Sequence, residues 1–141
     1  MKVKRYKPLI DKYFWIIWIP LSILLLITTI ISFSEIVALI IMIITDIFTY
    51  YFMISSLVSY VELRKDTLYI KYGFILKREI PYNKIRGVEK ERRVITYSML
   101  SIKNALEHIN IKYNKYDMTT ISVVGNDELI EELNKRISKE K

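Results

Sequence analysis

Cysteine is absent from the chain, which excludes disulfides, thiolate nucleophiles and thiolate-bound metals. Histidine is almost as scarce. His108 stands alone, and an imidazole-based metal site or a histidine-based proton relay needs more than one such side chain. The three glycines are too few and too scattered for a phosphate-cradling loop. Catalysis and a bound cofactor are therefore not expected. The last absence is one of position: neither long apolar run, residues 13–33 nor residues 36–58, contains a lysine or an arginine.

Those two runs are what the chain has most of. About 20 apolar residues cover the hydrocarbon core of a bilayer as a helix, because each backbone polar group is then bonded within the segment. Only Ser34 and Glu35 separate the runs, so they predict a membrane hairpin with both chain ends on one side. Lys2, Lys4, Arg5, Lys7 and Lys12 precede the first run, Arg64 and Lys65 follow the second, and the connection has no basic residue. By the positive-inside bias both ends are cytoplasmic, and residues 1–12 read as a basic leader that sets topology. Trp15, Trp18 and Pro20, with no small-residue cleavage site after them, argue against a cleaved signal peptide. Aromatic residues gather where both runs meet the cytoplasm: Tyr13, Phe14, Trp15 and Trp18 in one, Tyr50, Tyr51, Phe52 and Tyr60 in the other.

Asp46 lies near the middle of the second run. Folding the hairpin about its turn sets it level with Ser22, whose hydroxyl is its expected partner. An ionisable residue at that depth is costly, and it serves either as a packing or oligomer contact or as a functional carboxylate. The spans offer no basic counterpart, which favours packing.

After the hairpin the apolar period shortens to two. Val61 and Leu63, then Leu68, Ile70 and Tyr72, alternate with Thr67, Tyr69 and Lys71 around the turn Arg64-Lys65-Asp66. Phe74 to Ile80 supplies a third strand that Pro81 stops or confines to an edge. Lys84 to Glu91 gives a fourth with a bulge at Gly87, and Arg92 to Ser101 has no assignable register. His108 to Tyr113 and Met118 to Val124 form a hairpin around Asn114 to Asp117, with His108 on the exposed face. A helix closes the chain. Asn126 is its expected cap, Asp127 and Glu128 suit its positive end, and Leu129, Ile130, Leu133 and Ile137 form its apolar stripe. The fold class is thus a membrane α-helical hairpin followed by a small α+β domain over residues 60–138. A domain of roughly eighty residues has a thin core.

That element order resembles a pleckstrin-homology-like (PH-like) domain. Four blocks sharpen the resemblance: Leu68-Tyr69-Ile70-Lys71-Tyr72-Gly73, Ile80-Pro81-Tyr82-Asn83-Lys84-Ile85, Asn104-Ala105-Leu106 leading into Ile109 to Tyr113, and Ile121-Ser122 ahead of Glu128 to Leu133. In this spacing they resemble the YyaB-like family of bacterial PH-like domains, which commonly follow two membrane helices. Glu107 and Val123 depart from the serine and proline usual in that family. The resemblance implies a binding module in the bacterial cytoplasmic membrane, with no established activity or ligand to carry over.

Charge narrows the partners. The net charge is +7, and Lys84, Arg86, Lys90, Arg92 and Arg93 form the candidate surface for an anionic ligand or partner, diluted by Glu89 and Glu91. Anionic lipid headgroups, a protein and a peptide all suit a basic domain held at the inner leaflet. Nucleic acid is not expected without a recognition motif. The reading is a docking module. Its alternatives are a bacteriocin self-immunity protein, by analogy of architecture with small membrane proteins carrying similar domains, and a transport accessory subunit using Asp46; a homo-oligomer fits either.

Overall fold

The computed structural model describes residues 2–140. Strand β1 (Lys4–Tyr6) comes first, followed by helix α1 (Lys12–Ile31), a 3-10 turn (Ser32–Ser34) and helix α2 (Ile36–Leu57). Helix α1 runs through Pro20. Both helices are long and apolar enough to cross a membrane, and neither buries that length inside the chain.

Two four-stranded sheets follow. The first has the order β1-β2-β3-β4, with β2 (Tyr60–Leu63), β3 (Thr67–Tyr72) and β4 (Leu76–Pro81) all antiparallel. The second has the order β5-β7-β8-β6, with β5 (Ile85–Arg92), β6 (Ser101–Ile102), β7 (Glu107–Tyr113) and β8 (Asp117–Ile121). Strand β6 runs parallel to β8 and the other pairs are antiparallel. Helix α3 (Asn126–Glu140) completes the core.

Alternation explains how the sheets meet. Leu68, Ile70 and Tyr72 all point inward from β3 and join Ile109, Ile111 and Ile121 of the second sheet in one apolar cluster. Leu129, Leu133 and Ile137 enter it from α3, as one helical stripe must when it caps an open sandwich. Pro81 ends β4, an edge strand where its missing N–H costs no ladder bond. The register of β5 slips between Ile85 and Gly87, so the expected bulge is present.

Two local expectations are corrected, and one open segment is filled. The leader is part of the folded domain: Lys4–Tyr6 pairs with β2, Tyr6 enters the core, and the Arg5 guanidinium bonds the buried Glu62 carboxylate at 2.7 Å. The chain from Lys7 to Ile10 then bridges to the second sheet through Leu9 and Ser122 and through Val124 and Lys7. Asn126 does not cap α3. Its side-chain oxygen accepts from the Val123 N–H at 2.9 Å and ties the helix start to the strand before it. Finally, Arg93 to Leu100 crosses the polar face of the second sheet as an extended strap, fixed by the Thr96 and Thr120 hydroxyls at 2.6 Å and by Ser98 bonding the Met118 carbonyl at 3.0 Å.

Candidate functional site

The helix pair and the domain are joined by a seam of short polar bonds. Asp11 precedes α1 in extended backbone and caps it, one carboxylate oxygen accepting from the Tyr13 N–H at 2.8 Å. The other oxygen accepts from the Leu106 N–H at 3.0 Å. One side chain thus starts the first helix and fastens it to the domain. Asn104, itself buried, donates from its amide to the Ser56 carbonyl at 3.0 Å near the end of α2. That carbonyl lies in the last turn of α2, where helix carbonyls lack partners within the helix.

The third fastening is Gly73. Its N–H donates to the Ser59 hydroxyl at 2.8 Å, and that hydroxyl donates to the Ser55 carbonyl at 3.0 Å. Gly73 has φ +76°, and a Cβ at this position would run into the Ser55 side chain. Both facts call for glycine.

Beside this seam lies a groove of about 420 Å³. Tyr51, Phe52 and Ser55 of α2 form one wall, Ile75 and Leu76 of the β3–β4 tip another, and Met99 of the strap a third. Tyr72 also lines it; burial pushes its phenol up to about 12, opposed by the hydrogen bond to Thr119. The phenol therefore stays neutral. The strap turns Thr96 and Ser98 inward and leaves Ile95, Tyr97 and Met99 exposed. This arrangement can receive an apolar or amphipathic partner and offers hydroxyls for orientation.

The five basic residues do not converge. Strand β5 and the residues flanking it spread them from Lys84 to Arg93, a length of about 30 Å at strand rise. Lys90 is held by Asp127 at 2.8 Å and Glu107 at 3.2 Å, partners that raise its pKa, the Asp127 hydrogen bond foremost. Arg93 pairs with Glu91 at 2.8 Å. Lys84, Arg86 and Arg92 are exposed without an ion pair among the described residues. Arg92 and Arg93 end at the seam, where Arg93 N–H reaches the Leu106 carbonyl, whereas Lys84 lies at the far end of β5.

Asp46 finds Thr29 rather than Ser22: the Thr29 hydroxyl donates to its carboxylate at 2.8 Å. Helical side chains lean toward their own N-terminus. In an antiparallel pair a residue of α2 therefore leans toward the turn and meets a residue of α1 that lies closer to it. The second carboxylate oxygen of Asp46 is buried without a hydrogen-bond partner among the described residues.

His108 is fully buried rather than exposed. Its Nδ1 lies 2.9 Å from the Leu106 carbonyl and its Nε2 lies 3.5 Å from a Glu91 oxygen. The polar face of β7 is covered because the strap crosses it, with Thr96 bonded to Thr120 and Thr120 to Asn110 at 2.8 Å. Among the described residues no cluster of His, Asp and Glu could hold a metal ion. Sequence pattern alone does not mark Asp11, Ser59, Gly73 and Asn104 as parts of one site. Signals exist for two of them: an Asp opening an apolar helix is a capping pattern, and Asn104 opens one of the resembling blocks.

The Bacterial PH domain family matches residues 59–137, more than half of the chain. The chain belongs to that family. The match starts at Ser59, the residue that bonds Gly73, and ends at Ile137 on the buried stripe of α3. No curated protein and no solved structure matches the chain.

Proposed function

We propose that this protein is a membrane-anchored docking module of the YyaB-like kind, which acts by binding rather than by catalysis. The helix pair crosses the cytoplasmic membrane, both termini face the cytoplasm, and the PH domain receives an amphipathic segment of a protein or peptide at the inner leaflet. One observation carries this reading: the groove between α2, the β3–β4 tip and the strap lies where the apolar helices enter the domain. A ligand there touches span and domain at once. The Thr29 bond supports assigning Asp46 to packing between the two helices.

A photo-crosslinking residue at Met99 of the full chain in cells, compared with one at Lys65 in the β2–β3 turn, tests the proposal. The expected result is a discrete adduct from Met99 that Lys65 does not give and that exposed competitor peptide reduces. Equal adducts from both positions, or lipid adducts alone, would defeat the docking reading. The immunity alternative shares the groove, since a membrane-active peptide is one amphipathic ligand that enters from the leaflet. It adds a separate expectation, that cells carrying the chain survive such a peptide better than cells carrying a Met99→Asp variant.

A further inference from the structure

Three successive apolar side chains crown the β3–β4 tip in the open. Phe74 is 46% exposed, Ile75 76% and Leu76 54%. They are not disordered ornaments of a turn, because the tip is held against α2. The Phe74 ring lies 5.5 Å from the Tyr51 ring, and Gly73 packs on Ser55 with its N–H on Ser59.

The depth of Tyr51 decides what covers this tip. It precedes Leu57, the last residue of α2, by six positions, a rise of about 9 Å back into the apolar helix. A side chain stacked on Tyr51 therefore lies alongside the last turns of the span rather than past its end. Helices and loops that lie in a membrane surface bury their apolar side about 5–10 Å into the headgroup and acyl boundary. The two distances agree. Lys71 and Lys77 face each other across the register just behind the tip, where cations meet anionic headgroups. At the start of α1 a second exposed apolar pair, Val94 and Ile95, sits beside Tyr13, whose hydroxyl donates to the Val94 carbonyl at 3.4 Å. Arg92 and Arg93 precede that pair in sequence.

We propose that the β3–β4 tip, Phe74 to Leu76, is a third membrane-inserting element that enters the lipid of the leaflet already occupied by the helix ends, with Val94 and Ile95 as a shallower second contact. This rests on the reading that the helix pair crosses the membrane. Three points of attachment, α1, α2 and the tip, fix the domain against rocking and set the groove at the lipid surface.

The lack of cysteine makes the test direct. Single substitutions Ile40→Cys, Ile75→Cys and Lys65→Cys in the full chain are spin-labelled and reconstituted in phosphatidylcholine and phosphatidylglycerol vesicles. Collision with oxygen is then compared with collision with a water-soluble nickel chelate. The expected result is an oxygen-favoured ratio at Ile40 and Ile75, several-fold above that at Lys65. A water-like ratio at Ile75 with an embedded Ile40 overturns the insertion proposal alone. A water-like ratio at Ile40 overturns the spanning reading on which it rests. Ile75 is exposed, so its substitution leaves the core untouched, and a label at Ile95 provides an independent position expected to read shallower than Ile75.

Discussion

Strand β3 begins and ends in turns of opposite character. At one end Arg64, Lys65 and Asp66 join it to β2; at the other Gly73, Phe74 and Ile75 join it to β4. The charged turn is fastened to the domain's own helix, with Tyr82 and Arg136 both donating to the Arg64 carbonyl at 2.7 Å. The apolar turn is fastened to α2. A turn in water costs little when it is charged, whereas exposed apolar side chains in a row mark a contact surface. The polarity along this one strand therefore gives the domain a direction, with one end made for water and the other for the helices and what surrounds them.

The largest effect is expected where that direction depends on a missing side chain. Gly73→Val places a β-branched residue at a positive φ and drives its Cβ into Ser55. Strain of this kind costs about 1–3 kcal/mol before the clash is added, so a loss of about 3 kcal/mol or more is expected. Lys65→Val in the opposite turn should change stability by less than about 0.5 kcal/mol. Urea unfolding of the full chain in detergent micelles measures both. Equal midpoints for the two variants would show that the seam does not distinguish the ends.

A smaller loss is expected from Asn104→Ala, which leaves the Ser56 carbonyl without its amide donor. Breaking a buried hydrogen bond costs about 1–3 kcal/mol, and the damage should be local. Hydrogen exchange should quicken at Lys103 to Leu106 and at the end of α2 while the β2–β3 turn stays unchanged. Uniform quickening across the domain would mean that Asn104 serves the core and not the seam.

The parts of this comparison that sequence made legible are those set by short-range periodicity. Leu68, Ile70 and Tyr72 alternate, Leu129, Leu133 and Ile137 recur at helical spacing, and Gly87 sits at the irregularity in β5. Each of these can be read within a few residues. What stayed hidden depends on segments distant in the chain. The three-residue strand at Lys4–Tyr6 is too short and too charged to show itself until Glu62 needs Arg5. His108 looks like an outward strand residue until the strap from Arg93 covers its face. Five basic residues spaced along β5 look like a patch, but a strand separates what a list of positions places together. Level pairing sets Ser22 beside Asp46 because it ignores the lean of helical side chains, which brings Thr29 instead. The seam was hidden for the same reason: Asp11 and Leu106, or Asn104 and Ser56, meet only once both sheets have closed.

The smallest effect tests the water-facing end by pH. Glu79 accepts from the Thr67 hydroxyl at 2.8 Å and from Arg64 at 3.0 Å, and these bonds, Thr67 first, hold its carboxyl below the usual carboxylate range. A carboxylate depressed in the folded state contributes stability that is present above its unfolded pKa and is lost as pH falls through the lower folded value. The side chain is half exposed, so solvent screening limits the contribution to a few tenths of a kcal/mol, or about what surface ion pairs provide. Glu79→Gln should therefore be slightly less stable than the parent at neutral pH, and the gap should close on acidification through the carboxylate range. Added salt should narrow it at neutral pH as well. At the opposite end the bonds from Asn104 to Ser56 and from Gly73 to Ser59 join groups that do not titrate in this range, so the Asn104→Ala deficit should persist where the Glu79 deficit vanishes. A Glu79 gap that stays constant with pH would mean that the substitution acts through packing at the strand edge, and the charged turn would then owe its order to bonds that do not involve Glu79, those from Tyr82 and Arg136 to the Arg64 carbonyl among them.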